Sequence, residues 1–144
     1  MTTSHSIELA EMIRRKAAGL IEACREVDEN LAARATGDRW SPRQIITHLS
    51  GPEGTGHTAL LKAFIDSDTP MLDLNAGDPF YTEKRAVMSF GELLVACKAN
   101  YEQVAGFVEG LTEAQLARTA HIPELKETPL GEYPTLAEMI NVLG

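Results

Sequence analysis

The chain has 144 residues, 44% hydrophobic but only 6% aromatic, with 13 basic and 21 acidic side chains and a net charge of −8. That length suits one domain, 1–144, with a core of Leu, Ile, Val and Ala large enough to need neither disulfide nor structural metal. The acidic balance argues against nucleic acid and anionic membrane as partners, because both require a basic footprint.

No apolar run approaches the ~20 residues of a membrane span. The start, Met1 to Ser6, lacks the basic stretch and apolar block of a signal peptide. Two cysteines, Cys24 and Cys97, fit a reduced, cytoplasmic setting. Helix one is predicted from Ile7 to Leu31. Its apolar positions Ala10, Ile13, Ala17, Leu20, Cys24, Val27 and Leu31 alternate steps of three and four, which keeps one face buried. Cys24 falls on that face and reads as a core residue.

After the turn at Gly37-Asp38-Arg39 comes a complete helix start. Ser41 is an N-cap, Pro42 suits the first helical position, and Gln44 closes a capping box. Trp40 and Ile45 occupy the positions of a hydrophobic staple, and His48 lies one turn on, at the flank of the apolar stripe. Pro52, among Gly51, Gly54 and Gly56, obstructs this helix. The expectation is one long bent helix from 42 to about 66, with a break into two helices as the alternative. From Asp66 to Ser89 the helical pattern is lost among turn formers such as Pro70, Asn75, Gly77, Asp78 and Pro79. The pair Phe80-Tyr81 is expected to pin this long connection to the bundle.

Ser89 and Glu92 open helix three, which buries Leu93, Cys97, Tyr101, Val104 and Val108 and ends at Gly110. Thr112 and Gln115 box a short helix, and the proline-rich stretch His121 to Pro134 is a loop. Thr135 and Glu138 open a last helix whose face is Leu136, Met139, Ile140 and Leu143. It is expected to be cut short at Gly144, after about two turns.

Trp40-Ser41, Gln44 and His48-Leu49, followed by the rest of this helix order, resemble the DinB-like superfamily of bacterial four-helix bundles. That superfamily includes the YfiT-type and mycothiol-dependent maleylpyruvate isomerase-like proteins. The resemblance implies an all-α, up-down-down-up type four-helix bundle with a long crossover between helices two and three. It also implies that His48 binds a divalent metal, zinc or nickel, with two histidines of helix four, and that relatives use thiol cofactors for transfer or isomerisation. The helix-four stripe would place those histidines near 146 and 150, beyond Gly144. One imidazole does not hold zinc, so no metal is expected in the 144-residue chain alone.

The other histidines offer little. His57 follows His48 by about two and a half turns, so on a straight helix the two face apart; His121 sits in a loop and His5 in a terminus. Glu53 would turn inward only through a redirected backbone at Gly51 and Pro52. Asp66 and Asp68 read as helix-end and turn residues, and Cys97 as a buried, unreactive thiol. No nucleophile elbow, phosphate loop or dinucleotide fingerprint occurs. Two functions stay open: a metal-dependent transferase, isomerase or hydrolase acting on a small molecule, and a non-catalytic helical module that binds a small ligand or a copy of itself. The apolar groove left by a short fourth helix implies a homodimer.

Overall fold

The computed structural model describes residues 4–35, 37, 39–52, 56–72 and 79–143. They form α1 (Ser4–Ala23), α2 (Glu29–Ala32), α3 (Pro42–Ser50), α4 (Thr58–Asp66), α5 (Glu83–Ala86), α6 (Phe90–Glu109), α7 (Glu113–Leu116) and α8 (Leu136–Leu143), with a 3-10 turn at Pro123–Leu125. Among the described residues there is no strand, only two isolated bridges, Met71 to His121 and Thr119 to Thr135. The fold is the expected all-α four-helix bundle, built from α1, the broken pair α3–α4, α6 and α8. Among the described residues no helix is long and apolar enough to cross a membrane.

The capping boxes behave as their spacing predicts. Ser41 accepts the Gln44 N–H while its own N–H donates to Gln44 Oε1 at 2.9 Å. The same reciprocal pair forms at Ser89 with Glu92, at Thr112 with Gln115 and at Thr135 with Glu138. Each satisfies two backbone donors that a bare helix start leaves unpaired.

Helix one ends earlier than predicted. Beyond Ala23 the backbone tightens to three-residue bonds, Arg25 N–H to the Glu22 carbonyl and Val27 N–H to the Cys24 carbonyl. Asp28 then accepts the Leu31 N–H at 2.8 Å and starts α2 as a separate turn. Asp favours such caps because its short carboxylate competes for nearby backbone donors. The buried seam therefore stops at Ala17; Cys24 is only half-buried, and Leu31 is 45% exposed.

Helix two is broken, the alternative named above. Gly51 ends α3 with φ of 79°, and its N–H closes on the carbonyls of Thr47 and His48. A Cβ at Gly51 would stand 2.9 Å from the backbone carbon of Gly56. Only glycine permits both that conformation and that approach. The connection between Asp66 and Ser89 also contains a turn of helix that the pattern did not show, α5, capped by the Thr82 hydroxyl accepting the Arg85 N–H. Asn75, Gly77 and Asp78 lie outside the described residues.

Packing follows the seams. α1 and α3 both lie on α6, α4 meets α6 and α8, and α7 joins α1 to α8. Ile13, Ile46, Leu61, Phe64, Leu93, Leu136, Met139 and Ile140 form the centre, each at most 2% exposed. α8 has eight residues against twenty in α1 and in α6.

The two classes of glycine should separate in urea denaturation. Gly51→Ala is expected to cost roughly 2 kcal/mol or more, through strain and backbone collision. Gly106→Ala, mid-helix in α6 with nothing within 4 Å of its added Cβ, should stabilise by about 0.5–1 kcal/mol.

Candidate functional site

α3 carries the site. Its box and Pro42 fix the first turn, so Arg43, Thr47 and His48 leave the helix in set directions. Ser41, Arg43, Ile46, Thr47 and Ser50 are buried, and His48 is half-buried. The His48 ring neighbours two aromatic rings: Trp40 at 4.9 Å between centroids, tilted by 51°, and Phe80 at 6.0 Å, nearly parallel at 9°. Ile45, by contrast, is 44% exposed.

Phe80 reaches His48 through a segment fastened residue by residue. The Pro79 carbonyl accepts the Thr47 hydroxyl at 2.7 Å, the Phe80 carbonyl accepts Arg85 Nη1 at 3.0 Å, and the Tyr81 hydroxyl accepts Arg43 Nε at 2.9 Å. The expected pinning by Phe80-Tyr81 is therefore real. Phe80 has φ of 54°, a left-handed conformation that costs a bulky residue about 1–3 kcal/mol and persists only where neighbours impose it.

Two buried arginines supply that constraint. Arg43 donates through Nη2 to the carbonyls of Arg85, Ala86 and Met88, and through Nη1 to Glu29 at 3.2 Å. Arg85 donates through Nη1 to the carbonyls of Thr47 at 3.3 Å and Gly51 at 2.6 Å. Each arginine thus caps the C-terminal carbonyls of the helix bearing the other, where the helix dipole favours a cation. The other oxygen of Glu29 accepts the Phe90 N–H at 2.7 Å, tying α2 to the first turn of α6. A cleft of about 680 Å³ opens beside this network, with Glu29, Arg43, Tyr81 and Ser89 among its walls. The sequence reading missed Glu29, Arg43, Tyr81 as a hydrogen-bond partner, and Arg85; the arginines bond to backbone carbonyls distant in the chain, which leave no signal in the sequence.

His57 is not turned away from His48. With the helix interrupted at Gly51, the His57 ring comes within hydrogen-bonding reach of the backbone of His48 and Leu49. Burial pushes its pKa down, opposed by those carbonyls and assisted by the charges of His48 and Arg85. The straight-helix argument fails because the helix is not continuous. Elsewhere, His5 pairs with Glu113 at 3.3 Å, and His121 with Glu132 at 2.9 Å while stacking on Tyr133. Burial pushes both thiols up, Cys97 more sheltered than Cys24, so neither is a ready nucleophile.

A catalytic zinc takes three protein ligands and an open position. Among the described residues no three of His, Cys, Asp and Glu converge on one point. Glu53 lies outside them. The described residues offer His48 and do not complete a divalent-metal site.

The model of the DinB superfamily matches residues 10–143. The chain belongs to that superfamily. Among solved structures it is similar to YfiT from Bacillus subtilis, described as a probable metal-dependent hydrolase with an unusual four-helix bundle topology. The two share 16% identity at a TM-score of 0.75, over 99% of this chain and 79% of YfiT. No curated protein matches the chain. At that identity the likeness to YfiT carries the fold of this DinB-superfamily member and no more.

The depressed pKa of His57 makes a pH prediction. The unfolded chain holds the His57 proton more tightly than the folded one, so stability from this group is complete above the free-histidine value of about 6.5 and declines as pH falls below it. Urea midpoints of wild type and His57→Gln should therefore diverge on going from pH 8 to pH 5, the wild type losing more. Parallel curves would show that His57 is not desolvated.

Proposed function

We propose that this DinB-superfamily protein acts on a small molecule in divalent-metal chemistry, as a transferase, isomerase or hydrolase, and that His48 is its own ligand to the metal. The observation that supports this most is the position of His48: it follows a boxed helix start inside the region that the family model covers, with its ring beside those of Trp40 and Phe80. YfiT, with the same fold, is described as probably metal-dependent. A bound divalent ion would supply Lewis acidity and lower the pKa of a bound water or thiol. The remaining ligands of such an ion are not among the described residues. Free thiols at Cys24 and Cys97 support a reducing, cytoplasmic setting.

A second reading is a non-catalytic helical module that binds a small ligand or forms a homodimer. The cleft of about 680 Å³ beside Arg43 favours it, being of the size that takes small molecules.

Metal binding separates the two. After incubation with zinc or nickel and desalting, the 144-residue chain is expected to retain far less than one ion per molecule. During a titration with paramagnetic Ni²⁺, the His48 ring signals should broaden before those of His5, His57 and His121. His48→Ala should remove the effect while changing stability by only about 1 kcal/mol. Broadening with no preference for His48 would favour the non-catalytic module. One tightly held ion per chain would show that these residues complete the coordination after all.

A further inference from the structure

Position 80 has a backbone conformation suited to glycine, yet it carries phenylalanine. Glycine there would remove the strain and leave the carbonyl bonds of residues 79 and 80 intact, since both are made by the backbone. What glycine would lose is the ring, and the ring lies parallel to the His48 imidazole. The strained backbone, its fastening to Thr47 and Arg85, and the near-parallel stack all lead to one result: an aromatic face held against a single histidine.

We propose that Phe80 is a positioning residue for His48. Its ring, near-parallel to the imidazole and offset along it, restrains the imidazole plane and shelters part of the ring, while Trp40, tilted against the same ring, limits its rotation further. A metal ion or ligand therefore meets His48 in one orientation, with no reorganisation of the ring on binding. This rests on the reading that His48 is the ligand-binding residue, and the test below does not need a bound metal.

The variants are Phe80→Gly, Phe80→Leu and Phe80→Tyr. In the wild type the His48 carbon-bound ring protons should show the displaced chemical shifts of a proton lying near an aromatic face. Phe80→Tyr should keep those shifts, and Phe80→Gly and Phe80→Leu should return them towards free-histidine positions. The rate at which diethyl pyrocarbonate modifies His48, followed by mass spectrometry, should rise at least threefold in Phe80→Gly and stay within error in Phe80→Tyr. His5 and His121 serve as internal controls and should keep their wild-type rates throughout. Phe80→Gly also relieves the backbone strain, so it is expected to fold, and Phe80→Leu keeps an apolar side chain at the position. The proposal is overturned if the His48 shifts and rate are unchanged in both Phe80→Gly and Phe80→Leu. It is equally overturned if the three histidines change together, which is general loosening. A positive result here with no preference of Ni²⁺ for His48 would leave Phe80 as its positioning partner and remove the metal reading alone.

Discussion

Arg43 and Arg85 each cap the helix that carries the other, and the arrangement around His48 depends on this exchange. A guanidinium has five donors and no acceptor, so burying it requires a set of acceptors that water would otherwise supply. Helix C-termini hold unpaired carbonyls in quantity. α3 and α5 meet such that Arg43 reaches the carbonyls ending α5 and Arg85 reaches those ending α3. Two shortages of hydrogen-bond partners are resolved at once. The broken helix two fits this arrangement, because Arg85 takes the Gly51 carbonyl at the break and shares the Thr47 carbonyl with the Gly51 N–H.

The consequence reaches the site through three successive residues. Once α5 is locked to α3, Pro79, Phe80 and Tyr81 have one path across α3, and Thr47, Arg85 and Arg43 hold each of them on it. That path forces Phe80 into a left-handed conformation and delivers its ring to His48. Strain at one residue is tolerated because the three polar contacts around it are stronger together than the conformational preference they override. The same break that exposes α3 carbonyls to Arg85 brings His57 back against the His48 backbone. The two histidines are therefore neighbours through the break and not despite it.

Much of the fold was legible because its signals are local. A capping box needs only residues i and i+3, and all four that the sequence shows are present. The seam of α6 is read off Leu93, Cys97, Tyr101, Val104 and Val108, all buried. The end of helix one was not legible, since Asp28 serves equally as an exposed helical residue or as a cap, and the apolar spacing continues through Leu31 either way. The position of His57 depended on whether Gly51 and Pro52 bend or break the helix, which spacing alone does not decide. The arginine exchange was out of reach for another reason. Arg43 finds its carbonyl partners 42 to 45 residues away and Arg85 finds those of α3 34 to 38 residues away, and a backbone carbonyl has no signature in sequence. His48 was picked out by motif, but the rings that frame it come from both near and far, Trp40 within its own motif and Phe80 across the crossover.

A double-mutant cycle between Arg43→Met and Arg85→Met, read as unfolding free energies in urea, tests the exchange most directly. Each single change strands carbonyls in the interior and should cost about 2–3 kcal/mol. Either change also frees α5 from α3, so the second arginine has less left to hold, and the double variant should cost at least about 1 kcal/mol less than the sum. Costs that add, or that exceed the sum, would mean the two arginines act independently or mainly repel, and the proposed dependence of the His48 site on their exchange would be wrong.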